Sequence, residues 1–289
     1  MKKVVVTGAK GGTGPSIVKA FCAAGYQVFG VDLKSCDPHE IDYRQLDLED
    51  GAQAHDAFVG ADAIVHFGSL PSDSATTWEV AYRNIALGGY HVLQAAANLR
   101  VPRIVLASSP MIYGDYSRVP YLPLDEDTPH APEGIYGAAK QNLEELARHF
   151  ARWKGISIAA LRPQRIVYEG AYDWRARPYN SDDAAAVNAL WSYVDARDVA
   201  AACLAWVESD HAGFEAFNVA ADDVCVATPT RDLVRKFYPH VRDLRQDLPD
   251  RTGLVNCGKL KQLVGWRPRH TWQAMRAEHE AARVSAKVP

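Results

Sequence analysis

The fold is decided by the stretch Val4-Val5-Val6-Thr7-Gly8-Ala9-Lys10-Gly11-Gly12-Thr13-Gly14. Its three valines predict a buried parallel strand, and a helical pattern runs from Gly14 to a stop at Gly25. The first glycine of the loop permits a tight turn, and the last lets the helix pack on the strand. Such a loop binds the phosphates of a dinucleotide at the positive end of the helix; a simple flexible turn is the alternative. The predicted phosphate-loop contacts are Gly8, Gly11, Gly12, Thr13 and Gly14.

A second apolar run, residues 27–31, ends at Asp32, which lies 18 residues beyond Gly14. A carboxylate at this place accepts hydrogen bonds from the adenosine ribose hydroxyls and repels a 2′-phosphate, so Asp32 favours NAD over NADP. The neighbouring Lys34 would soften that discrimination. The alternative for Asp32 is a turn cap.

Apolar runs and amphipathic stretches alternate along the chain as far as about residue 160. The predicted strands are residues 4–6, 27–31, 61–67, 103–107 and 156–161, and the predicted helices are residues 14–24, 78–98 and 136–153. This order predicts an α/β fold with a doubly wound parallel sheet, that is, a Rossmann fold. Shorter elements punctuated by proline follow, with a helix expected to start at Thr228-Pro229. We therefore expect a dinucleotide-binding domain over residues 1–165 and a small C-terminal substrate lobe over residues 166–289, interleaved with the last sheet elements.

Composition excludes several classes of protein. The chain has 289 residues, 48% of them hydrophobic and 23% charged, which is typical of an ordinary globular protein. Its net charge of −3 gives no general attraction to nucleic acid or to an anionic membrane. The five cysteines form no C-x-x-C pair, and no metal-ligand spacing is visible. The chain also lacks a signal peptide and a long apolar run, so we expect a cytoplasmic protein with no membrane, nucleic-acid or metal partner.

Tyr136 and Lys140 lie four residues apart, so they project from one face of a helix. A phenol with a pKa of about 10 is a poor base at neutral pH, and a nearby ammonium favours the phenolate. Ser109 follows the apolar run 103–107, where the carboxyl end of a parallel strand faces a ligand crevice. These three residues are the candidate catalytic group. The alternatives are an exposed Tyr–Lys pair and a serine that caps a loop.

The chain carries a series of motifs in a fixed order. They are the N-terminal T-G-x-x-G-x-x-G, Asp32, Asp47-Leu48, His66-Phe67-Gly68, Asn84 with Gly88-Gly89, Ser108-Ser109 through Tyr113-Gly114, Tyr136-x-x-x-Lys140 and Leu161-Arg162-Pro163. In this series the chain resembles the extended short-chain dehydrogenase/reductase family, the NAD-dependent epimerase/dehydratases. The resemblance covers about residues 2–220.

The resemblance implies roles for individual residues. Tyr136 would be the catalytic acid/base, Lys140 would lower its pKa and bind the nicotinamide ribose, and Ser109 would polarise the substrate oxygen. The other cofactor contacts that it implies are Asp47, Leu48, Phe67, Gly68, Ser69 and Pro163, with Asn84 as a structural or relay residue.

A departure from the family pattern disfavours one of the family's reactions. Pro110-Met111 replace the Asp-Glu pair that sugar-nucleotide 4,6-dehydratases carry after this serine or threonine, so dehydration is disfavoured. In length and loop style the chain is nearer to uronate-dehydrogenase-like members. We expect an NAD-dependent oxidoreductase acting on a sugar, sugar acid or sugar-nucleotide. A sugar-nucleotide 4-epimerase is the first alternative, and a non-catalytic nucleotide sensor on the same fold is the second.

Residues for substrate binding are less well marked. A sugar acid would need an arginine for its carboxylate, and Arg165, Arg175 and Arg177 are candidates. Asn188 occupies the position that best corresponds to the arginine of the uronate dehydrogenases. The predicted substrate contacts are Ser69, Ser109, Arg165, Arg175 and Asn188. The apolar stripes of the helices 78–98 and 136–153 predict a homodimer, with burial within one chain as the alternative.

Overall fold

A seven-stranded sheet, parallel throughout, forms the centre of the molecule. The computed structural model describes residues 1–35, 41–72, 76–172 and 182–285. The strands, in chain order, are β1 Lys3–Thr7, β2 Gln27–Asp32, β3 Asp42–Gln45, β4 Ala63–His66, β5 Arg103–Ala107, β6 Tyr121–Leu122, β7 Ser157–Pro163, β8 Ile166–Val167, β9 Val194–Asp195, β10 Phe214–Val219 and β11 Asp243–Leu244. Across the sheet they run β10-β7-β5-β4-β1-β2-β3, while β6 pairs with β11 and β8 with β9.

Helices cover both faces of this sheet. They are α1 Gly14–Ala23, α2 Gly51–Ala57, α3 Trp78–Tyr82, α4 Gly88–Leu99, α5 Ile135–Lys154, α6 Ala196–Glu208, α7 Thr230–Phe237, α8 Gly258–Val264 and α9 Trp272–Ser285. Side chains of the central strand β1 alternate between two cores, because successive residues of a strand point to opposite faces. Val4 and Val6 pack with the core that contains α1, and Val5 packs with the core that contains α4 and α5. The prediction of a doubly wound α/β fold is confirmed.

The chain order reverses between β1 and β4, and this fixes the place of a ligand site. The connections from β1 run to one edge of the sheet through β2 and β3, and those from β4 run to the other edge through β5 and β7. In an open parallel sheet a crevice forms outside the carboxyl ends of the strands at such a switch point. The loops after β1, β4 and β5 all begin there.

Part of the predicted C-terminal lobe belongs to the sheet. β10 pairs with β7 along six residues, and α6 packs against α1. Asp195 is the N-cap of α6, where its carboxylate accepts a hydrogen bond of 2.7 Å from the Arg197 N–H. The chain therefore returns to the sheet after residue 195. The division at residue 165 stays a prediction.

The structure differs from the sequence expectations in several elements. Neither β3 nor α2 is among the predicted elements. β3 (DYRQ) is an edge strand and has no apolar run that could predict it. The helix expected to start at Thr228-Pro229 starts at Thr230 with Pro229 as its N-cap. No side chain of the described residues caps this helix, and the Thr228 hydroxyl instead donates to the Asp183 carboxylate at 2.9 Å.

The single helix expected over residues 78–98 is interrupted. α3 ends at Tyr82, a π-helical turn occupies Arg83–Leu87, and α4 follows from Gly88. Single π-helical turns of this kind are frequent at functional sites. None of the helices in the described ranges is both long and apolar enough to cross a bilayer.

Candidate active site

The loop between β1 and α1 is tightly packed. Gly8 adopts a φ of +73°, and a Cβ there would lie 2.5 Å from the Phe67 carbonyl oxygen. A Cβ on Gly14 would lie 2.6 Å from the carbonyl carbon of Ala9. Gly8 and Gly14 must therefore be glycines, the first for both backbone conformation and space. Thr13, the N-cap of α1, makes no capping hydrogen bond with its side chain, so the first-turn N–H groups remain for an anion.

Both oxygens of the Asp32 carboxylate accept hydrogen bonds from the backbone. Oδ2 accepts from the Lys10 N–H at 2.9 Å, and Oδ1 accepts from the Lys34 N–H at 3.2 Å. The carboxylate is thereby fixed at the end of β2, beside the phosphate loop. It can still accept further hydrogen bonds, because an ionised carboxylate has about four lone-pair sites.

A cavity of about 610 Å³ lies at the carboxyl end of the sheet. The structure brings almost every predicted site residue to its wall. These are Gly8, Gly11, Gly12, Thr13, Gly14, Asp32, Asp47, Leu48, Phe67, Gly68, Ser69, Asn84, Ser109, Tyr136, Lys140, Pro163 and Arg165. Its size lies within the range of small-molecule and cofactor sites, about 300–1,000 Å³.

Two predicted substrate residues are not among them. Asn188 is exposed on the 3₁₀-helix Asp183–Ala189 and does not line the cavity. Its side chain is therefore not brought to the other site residues. Arg175 lies outside the described residues, as does Arg177.

Lys140 is buried beneath the cavity wall on α5. Its Nζ donates hydrogen bonds of 2.7 Å to Ser69 Oγ and to the Ala107 carbonyl oxygen, and it lies 5.6 Å from the centroid of the Tyr136 ring. Burial lowers the pKa of Lys140 to about 7, and the Glu144 carboxylate opposes this shift. The ammonium is thus held beside the phenol ring with two fixed acceptors.

Ser109 is both a cap and a candidate donor. It is the N-cap of the 3₁₀-helix Pro110–Tyr113, and its Oγ accepts a hydrogen bond of 3.1 Å from the Met111 N–H. Since that bond uses the oxygen as an acceptor, the hydroxyl proton remains for donation to a third group. Ser109 therefore caps this loop, and its role in the site stays a prediction.

Asn84 lies in the π-helical turn and supports the loop after β4. Its side-chain Oδ1 accepts a hydrogen bond of 2.8 Å from the Leu70 N–H. That contact fixes the segment that follows Phe67, Gly68 and Ser69, all of which line the cavity. Asn84 thus holds this loop in the present arrangement, and its assignment as a structural or relay residue stays a prediction.

His66, one residue before this segment, is buried under the loop. Its Nδ1 forms a hydrogen bond of 2.8 Å with Thr7 Oγ1, which also accepts from the Gly68 N–H at 3.1 Å. Burial, together with the charge of Lys140, lowers the pKa of His66 to about 3, so the ring is neutral. It joins β1 to β4 below the cavity. Within the described ranges, no group of three or more His, Cys, Asp or Glu side chains is placed to hold a metal ion.

Two residues of the site were missed in the sequence. Glu144 continues the spacing of Tyr136 and Lys140 by four more residues, and this regular spacing is a signal that could have identified it. Tyr168 lines the cavity against the phosphate loop. No local pattern marks Tyr168, because more than 150 residues separate it from that loop.

Comparison with known proteins agrees with this geometry. The model of the NAD-dependent epimerase/dehydratase family matches residues 4–220. A uronate dehydrogenase of Pseudomonas putida is 30% identical over 164 residues, which is 55% of this chain and 59% of that enzyme. The match therefore spans less than two thirds of that relative.

Solved structures match over nearly the whole chain. A UDP-galactose 4-epimerase superimposes with a TM-score of 0.71 at 27% identity, covering 97% of this chain and 99% of that chain. A uronate dehydrogenase of Agrobacterium tumefaciens superimposes with a TM-score of 0.70 at 23% identity, covering 100% and 90%. At that lower identity the likeness concerns the fold.

Proposed function

The chain belongs to the NAD-dependent epimerase/dehydratase family, and we propose that it is an NAD-dependent oxidoreductase. The proposed reaction moves a hydride between NAD and a hydroxyl carbon of a sugar, sugar acid or sugar-nucleotide. One observation carries this proposal: Ser109, Tyr136 and Lys140 line the same cavity as the phosphate loop and Asp32.

The residues present fit a dinucleotide. Gly8 and Gly14 leave no room for side chains in the loop, and the uncapped first turn of α1 suits a pyrophosphate. Asp32 would accept hydrogen bonds from the adenosine ribose. Lys140 and Ser69 would contact the nicotinamide ribose. The adenine would lie against Asp47 and Leu48, and the remaining proposed contacts are Gly11, Gly12, Thr13, Phe67, Gly68, Asn84 and Pro163.

In the proposed mechanism NAD, when bound in this cavity, would supply the acceptor for a hydride from the substrate carbon. Tyr136 takes the proton of the substrate hydroxyl as the C–H bond at the neighbouring carbon breaks. Lys140 favours the phenolate by its charge at 5.6 Å from the ring centroid. Ser109 donates its hydroxyl proton in a hydrogen bond to the substrate oxygen and so holds that oxygen against Tyr136. Transfer in the opposite direction reverses each of these steps.

Arg165 is the proposed residue for an anionic group of the substrate. It lines the cavity two residues after Pro163, and its carbonyl oxygen accepts a hydrogen bond of 3.3 Å from the Val194 N–H. Arg165 thus lies between β7 of the sheet and the predicted C-terminal lobe. Ser69 and Ser109, which line the same cavity, are the other proposed substrate residues, and Arg175, outside the described residues, stays a prediction.

A sugar-nucleotide 4-epimerase is the second candidate, favoured by the 27% identity to the UDP-galactose 4-epimerase over nearly the whole chain. The two candidates differ in what happens to the cofactor. A dehydrogenase must release NADH in each cycle, whereas an epimerase returns the hydride and profits from keeping NAD bound. Presence of all three residues Ser109, Tyr136 and Lys140 argues against a non-catalytic nucleotide sensor.

The experiment that separates these functions follows cofactor exchange. The purified protein is passed through a size-exclusion column in buffer without cofactor and is then assayed by absorbance with excess NAD and a panel of sugars and sugar acids. We expect NAD to be lost on the column and NADH to accumulate in the assay. Stoichiometric NAD that stays bound, with sugar interconversion and no NADH, would make the protein an epimerase.

The proposed assembly is a homodimer in the cytoplasm. Trp78 is 73% exposed on α3 and Trp153 is 58% exposed on α5, and these two helices pack on each other. Large apolar side chains left in water on adjoining helices favour a second copy of the same chain as the partner. Light scattering on the eluting protein measures the mass, and a monomer at micromolar concentration would contradict the dimer.

A further inference from the structure

Gly12 has a different reason to be glycine from Gly8 and Gly14. A Cβ on Gly12 would meet no backbone atom among its three nearest neighbours; it would lie 2.5 Å from Cζ and 2.7 Å from Cδ1 of Tyr168. The aromatic ring thus occupies the volume that a side chain at position 12 would need. The phosphate loop and Tyr168 are packed in direct contact.

Tyr168 stands at a boundary between two cavities. It lines the cavity of the proposed active site, and it also lines a second cavity of about 1470 Å³ that extends between α1 and α9. Gly11 and Gly12 border both cavities as well. Loop and ring together therefore form the wall that separates the two spaces at the place where a pyrophosphate would bind.

The backbone at Tyr168 is held in place by its neighbours in the chain. Tyr168 directly follows β8, which pairs with β9, and its carbonyl oxygen accepts a hydrogen bond of 2.9 Å from the Ala171 N–H. Because the backbone is fixed by a strand on one side and a turn on the other, Tyr168 loses little backbone entropy when a ligand binds against it.

We propose that Tyr168 is a cofactor-binding residue whose ring, seated on Gly12, closes the dinucleotide cavity over the phosphate loop and slows cofactor release. This inference rests on the proposed use of NAD. Removal of the ring joins the two cavities and exposes the pyrophosphate end of the cofactor to water. A side chain at position 12 has a related effect, because it displaces the ring.

The test is a double-mutant cycle of Gly12→Ala and Tyr168→Ala, with NAD affinity from isothermal titration calorimetry and NADH release from stopped-flow fluorescence. Loss of the ring should weaken NAD binding about tenfold, mainly through faster release. Gly12→Ala alone should also weaken binding. Adding Tyr168→Ala to Gly12→Ala should cost much less than the same change costs in the wild type, because the two residues share one contact.

Two further variants sharpen the test. Tyr168→Phe keeps the ring and should bind NAD far more tightly than Tyr168→Ala. Tyr26→Ala removes a tyrosine that lines neither cavity, and its NAD affinity should equal that of the wild type.

The results separate this inference from the proposed function. Wild-type protein that binds no NAD would refute the proposed function itself. Wild-type binding with an unchanged affinity and release rate in Tyr168→Ala would refute the role of Tyr168 alone. Equal losses in Tyr168→Phe and Tyr168→Ala, or strictly additive losses in the double variant, would likewise overturn the proposed packing role.

Discussion

Glu144 and Arg162 form a two-point ion pair in the interior of the protein. Arg162 Nε donates to Glu144 Oε1 at 2.9 Å and Nη2 donates to Oε2 at 2.6 Å, and the two side chains are 5% and 2% exposed. The pair joins α5, which carries Tyr136 and Lys140, to β7. Ser108 Oγ also donates to Glu144, so the pair reaches the residue before Ser109.

Replacement of Arg162 by methionine should destabilise the protein strongly. The Glu144 carboxylate would be left buried without its partner, and removing one member of a buried ion pair costs about 3–5 kcal/mol. Urea denaturation measures the free energy of unfolding. Replacing both residues by methionine should recover most of that loss, because no uncompensated charge remains.

The control for this prediction is an exposed pair. Arg235 and Asp232 lie 3.3 Å apart with side chains 78% and 56% exposed, so Arg235→Gln should change the free energy of unfolding by less than about 1 kcal/mol. An Arg162→Met variant as stable as Arg235→Gln would show that the buried pair contributes nothing to the fold.

Tyr136→Phe should abolish turnover and leave NAD binding nearly intact. The substitution deletes the transferable proton and keeps the ring, and positioned acid/base catalysis contributes roughly 10²–10⁴-fold to the rate. Steady-state assays give the loss of turnover, and calorimetric titration with NAD checks that binding is unchanged. An active Phe variant would rule out Tyr136 as the acid/base.

Lys140→Ala should reduce both turnover and NAD affinity, because Lys140 is proposed both to favour the phenolate of Tyr136 and to bind the nicotinamide ribose.

Burial of Lys140 should appear in the pH dependence of stability. Its pKa is lowered from 10.5 to about 7 in the folded protein, so between these pH values the unfolded chain binds more protons than the folded one. The wild type should therefore gain stability relative to Lys140→Met as the pH rises from 7 toward 10.5, with a slope of at most about 1.4 kcal/mol per pH unit. Urea denaturation of both proteins at pH 7 and pH 9 measures this difference. Parallel stability curves would mean that the lysine keeps its ordinary pKa when folded.

NAD should bind more tightly than NADP. The Asp32 carboxylate, fixed by the N–H groups of Lys10 and Lys34, would face the 2′-phosphate of NADP. At a partly exposed site this repulsion should weaken NADP binding relative to NAD by a factor on the order of tens. Asp32→Asn should reduce the difference in affinity between NAD and NADP, since it removes the negative charge and keeps the shape of the side chain. Titration of wild type and variant with both cofactors tests this, and equal affinities in the wild type would show that Asp32 does not face the ribose.

Much of the fold was predictable from local patterns. The run Val4–Val6 predicted the central strand, because a strand covered on both faces is apolar throughout. The helical pattern from Gly14 to Gly25 predicted α1, which occupies Gly14–Ala23. β3 could not be predicted, because it lies at the sheet edge and is defined by pairing with β2 instead of by its own composition.

The sequence by itself determined which residues are proposed to bind and react, because family motifs and spacing indicate which positions lie at strand ends and on one helix face. Tyr136 and Lys140 are neighbours through the helix repeat, whatever surrounds them. Tertiary structure alone decided that Arg162 meets Glu144 and that the Tyr168 ring occupies the space beside Gly12. These contacts join residues far apart in the chain, and only close packing of the folded elements determines which of them touch.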